Sequence, residues 1–242
     1  SGRGIRSKIS DDRLWLAYVT DFYIRSTGDH SIFDENVSWI QARKLEDYEH
    51  EVYLNPDTLD ESDSVFEHCC RAIEISMRFG EHGLPLIGAG GWHDGMNRVG
   101  EGGKGESVWL GFFLYGILKR FAEYAKDREE NERSGRYSKV SEQLIKRLNK
   151  EGWDGEWYLR AFYDDGTPLG SSENTECRID AISQAWAVIT GAADESKAET
   201  ALLSAERHLV SERDRIIRLL TPPFDATERN PGYIKGYIPG VR

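Results

Sequence analysis

The chain has 242 residues, 39% of them hydrophobic and 30% charged, with a formal net charge of −11. That composition supports a packed core and excludes a disordered chain, and an acidic balance without a Lys/Arg cluster excludes nucleic acid as a partner. Three cysteines without CxxC spacing support neither a zinc site nor a disulfide framework, so a reducing, cytoplasmic setting without a bound metal is expected.

Ser10-Asp11-Asp12 signals a helix start, with acids placed to meet the positive end of the helix dipole. Leu14, Leu16, Val19, Phe22, Tyr23 and Ile24 then give a broad apolar stripe that ends near Gly28. Residues 30–58 carry no sustained period and read as a long ordered connection. Asn36-Val37-Ser38 within them matches a glycosylation acceptor, but no secretory signal accompanies it. A second helix is predicted from about Ser62, with Val65, Phe66, Cys69, Ala72, Ile73 and Met77 at helical spacing. His68, beside Cys69 and Cys70, fits a packed helix face better than a metal site.

Residues 83–105 are Gly-rich and lead into a helix from Glu106-Ser107 through Phe121. A further helix is predicted over 137–150, a strand and turn over 157–166, and two helices over 179–190 and 196–212. The Pro/Gly/Tyr-rich tail from Thr221 reads as a loop. No apolar stretch approaches bilayer length. Helices separated by long aromatic-bearing connections predict an all-α fold with functional loops at one end. Seven tryptophans and eleven tyrosines suit large helical cores and, equally, the apolar faces of sugars.

The string Gly88-Ala89-Gly90-Gly91-Trp92-His93-Asp94-Gly95-Met96-Asn97-Arg98 concentrates the chemistry. Its glycines let the backbone bend tightly and approach a ligand. A carboxyl beside an aromatic wall loses hydration, which raises its pKa and suits it to act as a general acid. A turn in which Asp94 caps the following residues explains the same composition. Gly100-Glu101-Gly102-Gly103-Lys104-Gly105 formally matches GxGxxG, but no strand precedes it and no βαβ alternation surrounds it. A Walker loop fails as well, because Gly105 follows Lys104. A helix opening after Gly105 still offers free N–H groups to an anion.

The segments 83–88, 95–100 and 105–111, with Ser10-Asp11-Asp12-Arg13-Leu14-Trp15-Leu16, Asp164-Asp165-Gly166 and Glu176-Cys177-Arg178-Ile179-Asp180, resemble glycoside hydrolase family 94. The resemblance runs through nearly the whole chain and is stronger to the branch of 1,2-β-oligoglucan phosphorylases and cyclic β-1,2-glucan synthases than to cellobiose phosphorylases. It implies a single partial (α/α)6 barrel over 1–242, with a small β-hairpin. It also implies inverting phosphorolysis of a β-linked glucose oligosaccharide, with inorganic phosphate as co-substrate and no cofactor. By the same resemblance Asp94 is the catalytic acid, and Trp92, His93, Asn97 and Arg98 are substrate-binding positions.

The family's usual loop reads Gly-Asp-Trp-Asn-Asp-Gly, so Gly91 and His93 are departures beside the acid. His93 either donates a hydrogen bond in place of the Asn or, when charged, lowers the pKa of Asp94. The family's upstream Arg-Asp and downstream Gln-Tyr-Thr-His segments are not in the sequence, so the expectation is a barrel cut at both ends. Homo-oligomerisation would then cover its open faces, and a membrane-bound synthase region would belong to the parent protein. Gly91 and His93 also fit a glucan-binding module without catalysis. A hydrolase of another α/α-toroid family would need a second carboxylate, for which Glu106, Glu176 and Asp180 are formal candidates.

Overall fold

The computed structural model describes residues 2–92 and 94–238, with the backbone alone at Asp94. Six helices form: α1 Leu14–Thr27, α2 Val65–Ser76, α3 Val108–Asp127, α4 Asn131–Glu151, α5 Ala181–Ile189 and α6 Glu195–Leu209. They pack as three consecutive pairs, and α3 also packs between α1 and α5. This open arrangement matches the helical expectation and its paired helices. Closure into a six-pair ring does not occur among the described residues.

The core follows from α3. Its Trp109, Phe112, Phe113, Leu114, Ile117, Leu118 and Phe121 are all at most 3% exposed. A helix apolar on nearly every face must be covered on every side. Ser107 caps its start, the side chain accepting from Leu110 N at 3.3 Å. Phe33 and Phe66 meet edge to face at 5.1 Å and close the core on the α2 side. Helix α1 ends at Gly28, whose φ of 73° is left-handed and whose N–H bonds Ile24 O at 2.7 Å. Ser10 does not cap α1 as predicted. Its hydroxyl is drawn 80 residues away, to Gly90 O at 2.9 Å.

Two expected boundaries shift. Helix α4 begins at Asn131, six residues before the predicted start, because its first turn is polar and carries no apolar period. Within 157–163 only Ala161–Phe162 is strand. The larger correction lies at 30–58, which is not a plain connection. β1 (Gly4–Ser7), β2 (Asn36–Gln41), β3 (Glu51–Leu54) and β4 (Asp57–Ser64) form two antiparallel ribbons, β1 with β3 and β2 with β4. Most of the β2–β4 ribbon is exposed on both faces, so its sequence carries no alternation to read.

Three further short strands complete the frame of the loops: β5 (Glu106–Ser107), β6 (Ala161–Phe162) and β7 (Pro168–Leu169) make one antiparallel sheet. The β6–β7 hairpin is the one anticipated from the Asp164-Asp165-Gly166 turn. A last strand, β8 (Ile179–Asp180), pairs with Leu220–Thr221 and draws the tail back towards the start of α5. Among the described residues no helix is long and apolar enough to cross a membrane.

Candidate active site

The residues that open α1, α3 and α5 converge at one end of the helices. Ser10 N and Oγ both bond Gly90 O, at 3.0 and 2.9 Å, joining the entry of α1 to the Gly-rich loop before α3. Arg160 joins the other two starts. Its Nη1 lies 3.4 Å from Ser107 Oγ and its Nε lies 3.5 Å from Asp180 Oδ2. Asp180 is the N-cap of α5, accepting from Ile182 N at 2.8 Å. That placement agrees with the reading of Asp180 as a residue at a helix start.

Main-chain contacts shape the loop. Ala89 N bonds Lys8 O at 3.2 Å and Ile87 N bonds Gly105 O at 2.9 Å. Gly88, at φ 59°, passes so near the neighbouring chain that a Cβ would lie 2.7 Å from Lys8 O. Only glycine fits that approach. At the opening of α3 the N–H of Val108 bonds Arg160 O at 3.2 Å and that of Leu110 bonds Ser107 Oγ, and the loop before it is closed by a carboxylate. Asp164 accepts from Gly102 N at 2.6 Å and from Lys104 N and Gly105 N at 2.8 Å each. A carboxylate of the chain itself therefore fills the anion-binding turn.

Asp94 opens a short 3-10 turn, Asp94–Met96. His93 lies outside the described residues. Met96 and Val99, both fully buried, anchor this turn in a second core with Ile87, Leu169, Cys177 and Phe224. Asn97 faces the tail: its Oδ1 accepts from Tyr233 N at 3.1 Å, and the residue is 8% exposed. Arg98 N bonds Pro231 O at 3.2 Å, while its guanidinium is half exposed and 3.9 Å from Glu101. The tail, read as a loop, thus braces the acid-bearing turn from outside. Glu176 holds that tail in turn, accepting from the N–H groups of Asp225, Ala226 and Thr227 at 2.9, 2.7 and 3.0 Å. Burial disfavours its charge, yet those three donors outweigh burial and keep its pKa below the ordinary value.

Trp92 is 58% exposed, and its ring sits 6.2 Å from that of Trp109 at an interplanar angle of 66°. The other six tryptophans are buried or half-buried. Below it, Trp15, Phe113, Trp109 and Trp186 form a continuous aromatic layer, with centroids 4.7 to 6.4 Å apart. The composition admitted both core and sugar-facing roles for the tryptophans, and Trp92 alone is turned out to solvent.

Two buried charges, Arg160 and Asp11, also belong to this end, and neither is among the site residues that the resemblance implies. Arg160 is fully buried, and burial lowers its pKa while Asp180 opposes that shift. A lone arginine within the apolar run Trp157–Phe162 was the available signal. Asp11 is 2% exposed, its Oδ2 accepts from Trp15 Nε1 at 2.8 Å, and burial raises its pKa. Asp11 reads as a dipole-stabilising acid in the sequence, because its neighbours in space are distant in the chain.

The carboxylates that a hydrolase would require are otherwise engaged. Glu106 is buried and accepts from Leu84 N at 2.8 Å and His82 N at 3.1 Å, with His82 Nδ1 at 2.5 Å. It fixes the turn that precedes the Gly-rich loop. His68 stacks on Trp39 at 3.7 Å and bonds Val37 O at 2.9 Å, a packed ribbon-to-helix contact. Among the described residues no three His, Cys, Asp or Glu side chains gather as a metal cluster would.

A family model described as the glycosyl hydrolase 94 superfamily, catalytic domain, matches residues 1–242. The chain belongs to this family. It is 47% identical over 240 residues to the cyclic beta-(1,2)-glucan synthase NdvB of Rhizobium meliloti, covering 99% of this chain and 8% of that protein. It is 33% identical to the solabiose phosphorylase of Paenibacillus borealis over 96% of this chain and 28% of that enzyme. To the cellobionic acid phosphorylase of Neurospora crassa it is 29% identical, over 93% of this chain and 26% of the relative. The chain thus spans under a third of the length of these glycosyl hydrolase 94 relatives. Gly91, the exposed Trp92 and the short turn opened by Asp94 follow one another closely on the loop before α3.

Proposed function

We propose that this chain supplies the acid-bearing loop of an inverting phosphorylase acting on β-linked glucose oligosaccharides. The observation that carries the reading is the position of Trp92, exposed on a glycine-bent loop two residues before Asp94 and braced from both sides. An exposed aromatic face next to a carboxylic acid suits a sugar ring held with its glycosidic oxygen within reach of a proton.

In the forward direction Asp94 gives its proton to the glycosidic oxygen as the anomeric C–O bond breaks. An oxygen of inorganic phosphate forms the new bond from the opposite face. The products are α-glucose 1-phosphate and the shortened glucan, and Asp94 is left as a carboxylate. Inverting hydrolysis needs a second carboxylate to activate water, whereas phosphate is already a nucleophile. The saturation of Glu106 and Glu176 by N–H donors is consistent with a site that uses one carboxyl. Likeness to a cyclic beta-(1,2)-glucan synthase supports a β-1,2 linkage.

The test is phosphate release from α-glucose 1-phosphate, with sophorose or cellobiose as acceptor. Asp94→Asn is expected to lower the rate by about 10²- to 10⁴-fold, the usual contribution of a positioned general acid. Faster turnover with sophorose supports the β-1,2 linkage. An unchanged rate in the variant overturns the assignment of the acid. Sugar binding without release in the unaltered protein supports instead a glucan-binding module, the reading that Gly91 and His93 favour.

A further inference from the structure

A cavity of about 750 Å³ opens on the β1 side of the Gly-rich loop, with Gly88 and Ala89 in its wall. Five cations line it from four parts of the chain: Arg6 and Lys8 from β1 and its end, Arg13 from the start of α1, Lys44 from the loop between β2 and β3, and Arg78 from beyond α2. Such a gathering stands out in a chain whose net charge is −11. Among the described residues Arg6, Arg13, Lys44 and Arg78 make no ion pair and no side-chain hydrogen bond. Lys8 meets only the main-chain oxygens of Glu46 and Asp47, at 3.4 and 2.8 Å. Nearby acids are spent elsewhere: Glu49 holds Arg43 at 2.6 Å, and Glu101 lies 3.9 Å from Arg98. Asp47 is thus the one acid of the wall left to set against the five cations. A second large cavity has the opposite balance. Its Arg133 and Arg136 sit among Glu74, Glu129, Glu130 and Glu132, and Arg133 pairs with two of these. Like charges gathered without counter-charges repel one another, and an entering anion relieves that repulsion.

We propose that this cavity binds a phosphorylated sugar. A phosphate monoester carries nearly two negative charges near neutral pH, and Arg and Lys are the side chains that hold such a group. The volume far exceeds that of one phosphate and falls in the range of small-molecule sites, roughly 300–1,000 Å³. Leu45, Ile75, Leu86 and Leu110 supply apolar surface on which a sugar ring can lie. Among the described residues Trp92, Asn97 and Arg98 do not line the cavity, so it is distinct from the positions that the resemblance implies for the glycoside. The inference goes beyond the phosphorylase reading and does not require Asp94 to act as an acid.

The experiment uses the full protein that carries these residues. Glucose 6-phosphate is the probe, because its phosphate is not on the anomeric carbon and the proposed phosphorolysis neither makes nor consumes it. In calorimetric titration the double variant Lys44→Gln with Arg78→Gln is expected to bind it about 10-fold or more weakly than the unaltered protein. Lys119→Gln with Arg120→Gln removes the same charge outside the cavity and should leave binding within about 2-fold. All four side chains are exposed, and melting temperatures near that of the unaltered protein show that both variants fold. Inorganic phosphate should bind at least about 5-fold more weakly than glucose 6-phosphate, since it leaves the apolar surface uncovered. Equal affinity for the two overturns the sugar and leaves a free-anion site. No binding, binding unchanged in the first variant, or an equal loss in both variants overturns the site itself. Asp94→Asn should bind the probe as the unaltered protein does, so a failure of the phosphorylase reading is seen separately in turnover.

Discussion

Around α3 the side chains of Phe112, Phe113 and Phe121 lose essentially all exposure, and their partners are other aromatic and aliphatic groups. On the loop face, at the entries of α1, α3 and α5, the fixing contacts are carboxylates set against backbone N–H groups. Asp164 closes 102–105, Glu176 closes 225–227 and Glu106 closes 82–84. The two regions use opposite chemistry because they bury opposite things. Helices satisfy their own backbone and need only apolar cover, whereas a glycine-bent loop leaves N–H groups unpaired that a carboxylate can gather. Asp11 stands apart from both, with one oxygen satisfied and the other open beside Gly91. Asp164, Glu176 and Glu106 each gather two or three N–H donors, whereas Asp11 keeps one oxygen without a hydrogen bond beneath the exposed Trp92.

That contrast can be broken most forcefully in the helical layer. Phe121→Ala is expected to cost about 3–5 kcal/mol through lost burial and the cavity left behind. It should appear as a fall in Tm of roughly 6–20 °C. A smaller fall would mean that α4 or α2 collapses into the space. Asp164→Ala strips three donors of their acceptor in a partly exposed loop, at a cost of about 1–3 kcal/mol. Its sharper signature is local. The amides of Gly102, Lys104 and Gly105 should exchange faster while those of α3 keep their protection.

Glu176 adds a pH dependence of known sign. Its folded pKa is lower than its ordinary value of 4.5. The stability it contributes is therefore fully present above that value and is lost as the pH falls through the depressed one. Thermal melts of the protein and of Glu176→Gln should differ near neutral pH and converge in that acidic window. Divergence that grows on acidification would contradict the clamp. The smallest effect concerns the thiols. Burial pushes Cys69 up to about 11, Cys70 up to about 12 and Cys177 well above the ordinary range. Alkylation at pH 8 should be negligible in the folded protein and become rapid in denaturant.

How much was legible varied with the range of the interaction. The apolar run from Val108 to Phe121 could only be a buried helix, and the Gly-Trp-His-Asp loop announced itself by composition. The ribbons at 36–41 and 57–64 could not be read, because a ribbon exposed on both faces imposes no alternation on its residues. The resemblance implies substrate contacts at Asn97 and Arg98. The structure sets Asn97 against Tyr233 and Arg98 beside Glu101, partnerships that residue type alone does not specify.

The sequence by itself determined the helices, the acid-bearing turn and the family, since these depend on neighbours three or four residues apart or on contiguous motifs. Only the tertiary structure decided what the acids do. Asp164 meets its donors across about 60 residues and Glu176 across about 50. Asp11 meets Gly91 only because α1 and the loop before α3 enter the same end of the molecule. A carboxylate's role is set by which dipoles surround it, and those dipoles are brought to it by the packing of elements far apart in the chain.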